Sequence, residues 1–163
     1  MAVDLLQLEN ELFLAVDAFF QWLLSQTAAT ELYAAGLYSN GELSYLVPTA
    51  NTRAFLCEAG TSPWSPPDWE FHLSNSVLFQ HVEEVLGQGW SSDFSEYDTD
   101  PLAVRQIVHR VLRQGRERWL ANSDVVVGLF MGESAHPWIA ESIRAINPPE
   151  IAVQWIGAQS HSS

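Results

Sequence analysis

The stretch Glu31–Thr49, ELYAAGLYSNGELSYLVPT, decides the fold class. Two runs of apolar and aromatic residues flank Asn40-Gly41. Leu32, Tyr33, Leu37 and Tyr38 lie in the first run, and Leu43, Tyr45 and Val47 in the second. Asn-Gly between such runs favours a type I′ turn, because both central residues of that turn need positive φ. The stretch therefore predicts a hairpin with strands over Glu31–Ser39 and Glu42–Thr49. Strands joined by a tight turn pair antiparallel, which excludes a doubly wound parallel sheet. Gly36 inside the first strand marks a bulge or a close backbone approach, and Pro48 marks an edge.

Working outward, Leu5, Leu8, Leu12, Val16, Phe19 and Leu23 recur at three- and four-residue steps. They predict an amphipathic helix from Asp4 to Gln26 with Asp4 as its N-cap. Downstream, Asn51-Thr52 caps a short helix through Cys57 or Glu58 that Gly60 ends, and Asp68–Leu73 reads as a third short strand. A helix over Val77–Leu86 follows, capped by Ser74 or Asn75. A long helix starts at Thr99 or Asp100 with Pro101 in its first position, where a missing N–H costs little. It runs to about Ala121, and Gly115 weakens its interior by ~1 kcal/mol relative to Ala. Asp124–Met131 reads as a buried strand. Ser134 caps a helix that carries Pro137 in its first turn and ends at Ile146. Ile151–Ile156 reads as a final strand and Gly157–Ser163 as a frayed tail. The expectation is one α+β domain over residues 1–163: a small, mainly antiparallel sheet with an N-terminal hairpin, packed against several helices.

A chain of 163 residues can bury roughly two thirds of its unfolded surface. With 47% hydrophobic residues it is no disordered tail. Ala18–Thr30, the longest uncharged apolar-rich stretch, falls short of the ~20 residues a bilayer span needs. Met1-Ala2-Val3-Asp4 lacks the basic start of a signal peptide, so a cytoplasmic location is expected. One cysteine, Cys57, excludes an internal disulfide and a cysteine-based zinc cluster.

Charge is the sharper signal. Twenty acidic residues against seven basic ones give a net charge of −13, and every basic residue is Arg. Such a chain repels phosphate backbones and anionic lipid headgroups, so neither nucleic acid nor membrane is an expected partner. It suits a cationic protein, which an acidic field steers inward.

Catalytic motifs do not emerge. The five histidines are too far apart in sequence for a metal pair, and His81 with Glu84 reads as a local surface contact. Gly87-Gln88-Gly89 follows a helix rather than a strand and lacks a third glycine. No G-x-S-x-G elbow is present. Carboxylate pairs at Glu9/Glu11, Asp68/Glu70 and Glu83/Glu84 are what twenty acids produce by chance. Cys57 reads as buried and inert. No catalytic residue, metal site or cofactor is therefore expected, and the chain is read as a non-enzyme.

Three clusters remain. Arg105, Arg110, Arg113, Arg116 and Arg118 share one helix behind the acidic run Glu83–Asp100. Mutual neutralisation is the plain reading; binding of an anion or of a partner's acidic patch is the other. The box Trp64-Ser65-Pro66-Pro67-Asp68-Trp69 has its backbone fixed by two prolines. Trp64, Pro66, Asp68 and Trp69 are read as structural, packing over the hairpin and the Asn51 turn. The third cluster is Trp90, Asp93, Phe94, Glu96, Tyr97, Asp98 and Asp100, which alternates rings with carboxylates and holds no basic residue. Rings that fill pockets and acids that pair with Lys or Arg suit a protein interface, so these seven are the expected partner-binding residues.

Leu37-Tyr38-Ser39-Asn40-Gly41, then Tyr45, Pro48 and Asn51-Thr52, then the Trp64–Trp69 box, resemble a family of small bacterial proteins, the domain-of-unknown-function 4303 family. Ile146-Asn147-Pro148 is similar to that family's C-terminal end, so the resemblance spans Leu5 to about Pro148. It implies proteins that accompany secreted or contact-delivered toxins and act as their cognate immunity proteins, with no reaction attached. The implied function is neutralisation of a bacterial toxin with a basic surface by direct occlusion. The alternative is a small enzyme or ligand-binding domain with a pocket near the hairpin and the box. A deep pocket lined by Tyr45, Asn51, Asp68 and a histidine would favour it.

Overall fold

The computed structural model describes residues 2–59, 63–133 and 135–161. The fold is α+β: a three-stranded sheet packed with helices. Helix α1 spans Leu5–Gln26, and the Asp4 carboxylate caps it by accepting from the Gln7 N–H. Strands β1 (Leu32–Ser39) and β2 (Val47–Thr52) follow. Then come α2 (Arg53–Ala59), α3 (Gln80–Gly87) and α4 (Pro101–Trp119). Strand β3 (Val126–Met131) and helices α5 (Pro137–Ile146) and α6 (Pro149–His161) complete the chain.

The sheet order is β2-β1-β3, with β1 antiparallel to β2 and parallel to β3. The sheet is thus mixed rather than mainly antiparallel. β1 is buried along nearly its whole length because it is the middle strand, which explains its almost unbroken apolar run. The parallel partner enters only after the helices α2–α4 have crossed between, so no local signal announces it.

The Asn40-Gly41 turn is also not a two-residue turn. The last strand pair is Tyr38 with Val47, and residues 40–46 form a loop. Leu43 and Leu46 turn inward from it and are fully buried. Asn40 ties the loop together: its carbonyl accepts from Leu43 N–H and its side-chain oxygen from Ser44 N–H. Leu43 takes a left-handed φ of 54° to reach the core. Burying two leucine side chains is worth about 1.5–3 kcal/mol each, more than the local preference of Asn-Gly for a tight turn.

Gly36 marks a close backbone approach and not a bulge, since the register of β1 with β2 shifts at Tyr33 instead. It has φ 152°, and a Cβ there would lie 2.0 Å from the Gly128 carbonyl oxygen on β3. At Gly115 a Cβ would come within 3.0 Å of Val16 and Phe20, so the glycine lets α4 close on α1. That contact is the reason for a residue that weakens the helix.

Three expected elements take other forms. Asp68–Leu73 is no strand, although the Phe71 and Leu73 N–H groups donate to Ala50 and Pro48 carbonyls on the outer edge of β2. Pro66–Asp68 is a one-turn 3-10 helix and the residues after it are turns. Ile151–Ile156 belongs to helix α6, which also takes in Gly157–His161; Pro149 sits in its first turn, where a missing N–H costs little. Val77–Leu86 divides into a 3-10 turn over Ser76–Phe79 and α3. The expected stop at Gly60 and cap at Ser134 lie outside the described residues; the His136 side chain accepts from the Trp138 N–H at the start of α5.

Side chains close the outer edge of β3. Asn147 accepts from Val127 N–H and donates to Val127 O, at 2.9 and 2.7 Å, as a neighbouring strand would. Ser142 accepts from Leu129 N–H. Arg116, which is buried, donates to Asn147 Oδ1 and to the carbonyls of Ser123 and Val125. The edge is therefore unavailable for pairing with another chain. No helix among the described residues is long and apolar enough to cross a membrane.

Candidate protein-binding site

The two tryptophan-bearing loops singled out in the sequence end in opposite situations. Trp69 is 4% exposed and packs edge-on against Tyr33 at 5.9 Å and Phe130 at 5.0 Å. Trp64 stands against Tyr33 and Trp155. Tyr33 is the extra residue where the β1–β2 register shifts, between Leu32 and Ala34. Asn51 fastens the box from below: its amide donates to Tyr33 Oη at 2.8 Å, and its oxygen accepts from Glu70 N–H at 3.0 Å. Tyr33 in turn donates to the Pro63 carbonyl, and burial pushes its phenol up to about 12. Pro66 is buried, and Asp68 accepts from the Ser65 hydroxyl. The box is built into the sheet.

Asn51 is fully buried, with Tyr33 and Glu70 as its partners. His72 is held by Thr49 Oγ1 at 3.1 Å and lies edge-on to Tyr38. Burial lowers its pKa, and the charge of Asp68 opposes that shift.

Residues 89–98 form a small hairpin. Trp90 and Tyr97 make an antiparallel bridge, with their rings 4.9 Å apart. Ser91 N–H donates to Glu96 O and Asp98 N–H to Gly89 O, while Tyr97 Oη donates to the Leu86 carbonyl. Asp93 holds the tip: one carboxylate oxygen accepts from Ser91 Oγ, Ser95 Oγ and Ser95 N–H. The Ser95 and Ser91 hydroxyls lower its pKa to about 2, although it is fully exposed.

Phe94 stands at this tip, 74% exposed, with a left-handed φ of 59°. An aromatic residue pays of order 1–2 kcal/mol for that backbone conformation. Neither burial nor local preference explains a phenylalanine here, and both do explain the one at Phe130.

Six of the seven expected partner-binding residues come together in this hairpin: Trp90, Asp93, Phe94, Glu96, Tyr97 and Asp98. Asp100 stands apart as the N-cap of α4, its carboxylate accepting from Leu102 N–H. Sequence reading missed Glu42, which comes from the loop after β1 and lines the same groove. About fifty residues separate it from the hairpin, and nothing local links the two.

Three of the five arginines of α4 pair with carboxylates, none of them from the acidic run. Arg110 forms a two-pronged pair with Glu9, Arg118 meets Asp17, and Arg105 meets Glu141. Arg113 bonds the Ala145 carbonyl. The partners come from α1 and α5, because those helices pack on α4 while the hairpin lies beyond its N-terminus. The hydrogen bond from Arg110 lowers the Glu9 pKa, the opposite of what a proton-donating carboxylate needs.

Cys57 is exposed rather than buried, since α2 is short and surface-lying. His81 and Glu84 pair with each other at 3.3 Å. Among the described residues no group of three or more His, Cys, Asp or Glu is placed to hold a metal ion. No family model, curated protein or solved structure matches this chain.

Proposed function

We propose that this chain is a binding protein that takes a basic protein partner at the 89–98 hairpin. The exposure of Phe94, on a tip tied down at both stems, carries this reading. A ring already held in place loses little conformational freedom on binding, which is what makes an aromatic anchor effective. Glu96, Asp98 and Glu42 line the groove beside it, and among the described residues none of them forms an ion pair with an arginine, so their field remains free to steer a cationic surface. The resemblance in the sequence supplies the partner's identity: a cognate bacterial toxin, occluded by direct contact.

The test is co-expression with the product of the adjacent reading frame. That product arrests growth on its own, the wild-type chain relieves the arrest, and Phe94→Ala fails to relieve it while staying folded. A harmless neighbour that does not co-purify with the chain sinks the reading.

One observation favours the alternative of a ligand-binding domain. A groove of about 340 Å³ lies beside the box, lined by Tyr33, Trp64 and Trp155 with Arg53 and Asp124 among its walls. A small-molecule ligand whose binding is abolished by Trp155→Phe, and is indifferent to Phe94→Ala, would select that reading instead.

A further inference from the structure

We infer that the groove between the hairpin and the 40–46 loop receives an arginine side chain of the partner. This inference deepens the proposed function and rests on it. The groove is lined by Glu42, Trp90, Phe94, Ser95, Glu96, Tyr97 and Asp98. Carboxylates and aromatic side chains thus line one groove.

The molecule itself shows what this combination holds. Arg105 lies 4.3 Å over the Trp138 ring and bonds Glu141 at 2.7 Å. Arg118 lies 5.4 Å over Trp119 and meets Asp17 at 3.4 Å. In both places a ring and a carboxylate are completed by one of the chain's own arginines. Around Trp90 and Tyr97 the ring and carboxylate are present, but the ion pairs of the described arginines run elsewhere. The negative field there is felt by Tyr97, whose phenol burial and the charge of Glu42 push up to about 12.

Arginine fits better than lysine for a geometric reason. A guanidinium is planar, so it stacks on a ring while its edge N–H groups reach carboxylates; an ammonium must choose between the two. The groove is open to solvent, with a volume of about 800 Å³. Phe94 then fills an apolar pocket on the partner as the partner's arginine enters this groove.

Heteronuclear NMR on the full chain tests this with the peptide acetyl-Gly-Gly-Arg-Gly-Gly-amide as probe. The Trp90 indole N–H and the amides of Glu42 and of residues 95–98 should shift and saturate. The lysine peptide should bind at least threefold more weakly and the uncharged citrulline peptide not at all. Glu42→Gln, an exposed change that leaves the fold intact, should weaken the arginine peptide three- to tenfold. Shifts spread over all carboxylates without saturation, or equal binding of lysine and arginine, overturn the inference. So does a Glu42→Gln variant that binds as wild type. The two readings fail separately. A toxin bound normally by Glu42→Gln removes the arginine groove and keeps the binding protein. A saturable arginine site on a chain that binds no neighbouring gene product does the reverse.

Discussion

Residues 63–73 and 89–98 start from the same material: tryptophans, serines and acids in a loop without long regular structure. In the first, the rings enter the core and the backbone is fastened to β2 through Asn51, Ala50 and Pro48. In the second, the backbone is fastened mostly to itself, and its one apolar tip faces water. The difference lies in what each loop meets. The box lies over a sheet face where Tyr33 and Phe130 offer ring surface. The hairpin hangs at the end of α3, where Tyr97 and the Gly89 N–H reach back to the Leu86 carbonyl. Aromatic residues in a loop therefore say that a surface is wanted, not whose surface it is.

Trp69→Ala attacks the first region where it is most buried. It should cost about 3–5 kcal/mol, read from denaturant unfolding, because a cavity opens between Tyr33 and Phe130. A loss below ~1 kcal/mol would place the box outside the scaffold.

Asn51→Ala probes how the box is attached. It strands the Glu70 N–H and the Tyr33 oxygen in a buried setting, and should cost about 1–3 kcal/mol. A neutral result would mean that ring packing alone holds residues 63–70.

Phe94→Ala should do the opposite of Trp69→Ala. Stability should stay within ~0.5 kcal/mol of wild type, as for an exposed residue. Partner affinity should fall at least about tenfold, which corresponds to 1.4 kcal/mol. Comparable losses in both measurements would merge the two regions into one kind.

Acid should separate the regions by pH. Partial burial holds the His72 folded pKa below the unfolded value, so the unfolded chain binds more protons. Its stabilising contribution is full above about pH 6.5 and fades as pH falls below that value. The sensitivity of stability to pH between 7.5 and 5 should therefore shrink in His72→Gln. His109, also held low by burial and by Arg105, keeps a share of the effect in that variant. Asp93, by contrast, stays ionised down to about pH 2, so the hairpin tip should hold its hydrogen bonds across the whole window, as NMR of the Ser95 amide would report.

The smallest expected effect on stability comes from replacing Asp93, Glu96 and Asp98 by Asn, Gln and Asn. Exposed charges are worth ~0–1 kcal/mol each, so the fold should barely respond. Association with the partner should slow, and more so at low salt, because steering is screened over a Debye length of ~8–10 Å. A large loss of stability with an unchanged on-rate would move the hairpin into the scaffold.

The sequence by itself determined the elements whose information is local. The stripe from Leu5 to Leu23 makes α1, Asp100-Pro101 starts α4, and the Val-rich run makes β3, each through a period or a cap carried by neighbouring residues. It also determined that residues 90–98 alternate rings with acids. Tertiary structure decided the rest. The parallel pairing of β1 with β3 joins residues some ninety positions apart, and the close approach of Gly36 to Gly128 has meaning only once they meet. Leu43 and Leu46 overruled the turn that Asn40-Gly41 prefers, because burial outweighs a local φ preference. Arg105, Arg110 and Arg118 of α4 found their carboxylates on α1 and α5, not on the acidic run beside them. Glu42 reached the hairpin's groove by the same route. Charge acts through space, and distance in space is set by packing rather than by order along the chain.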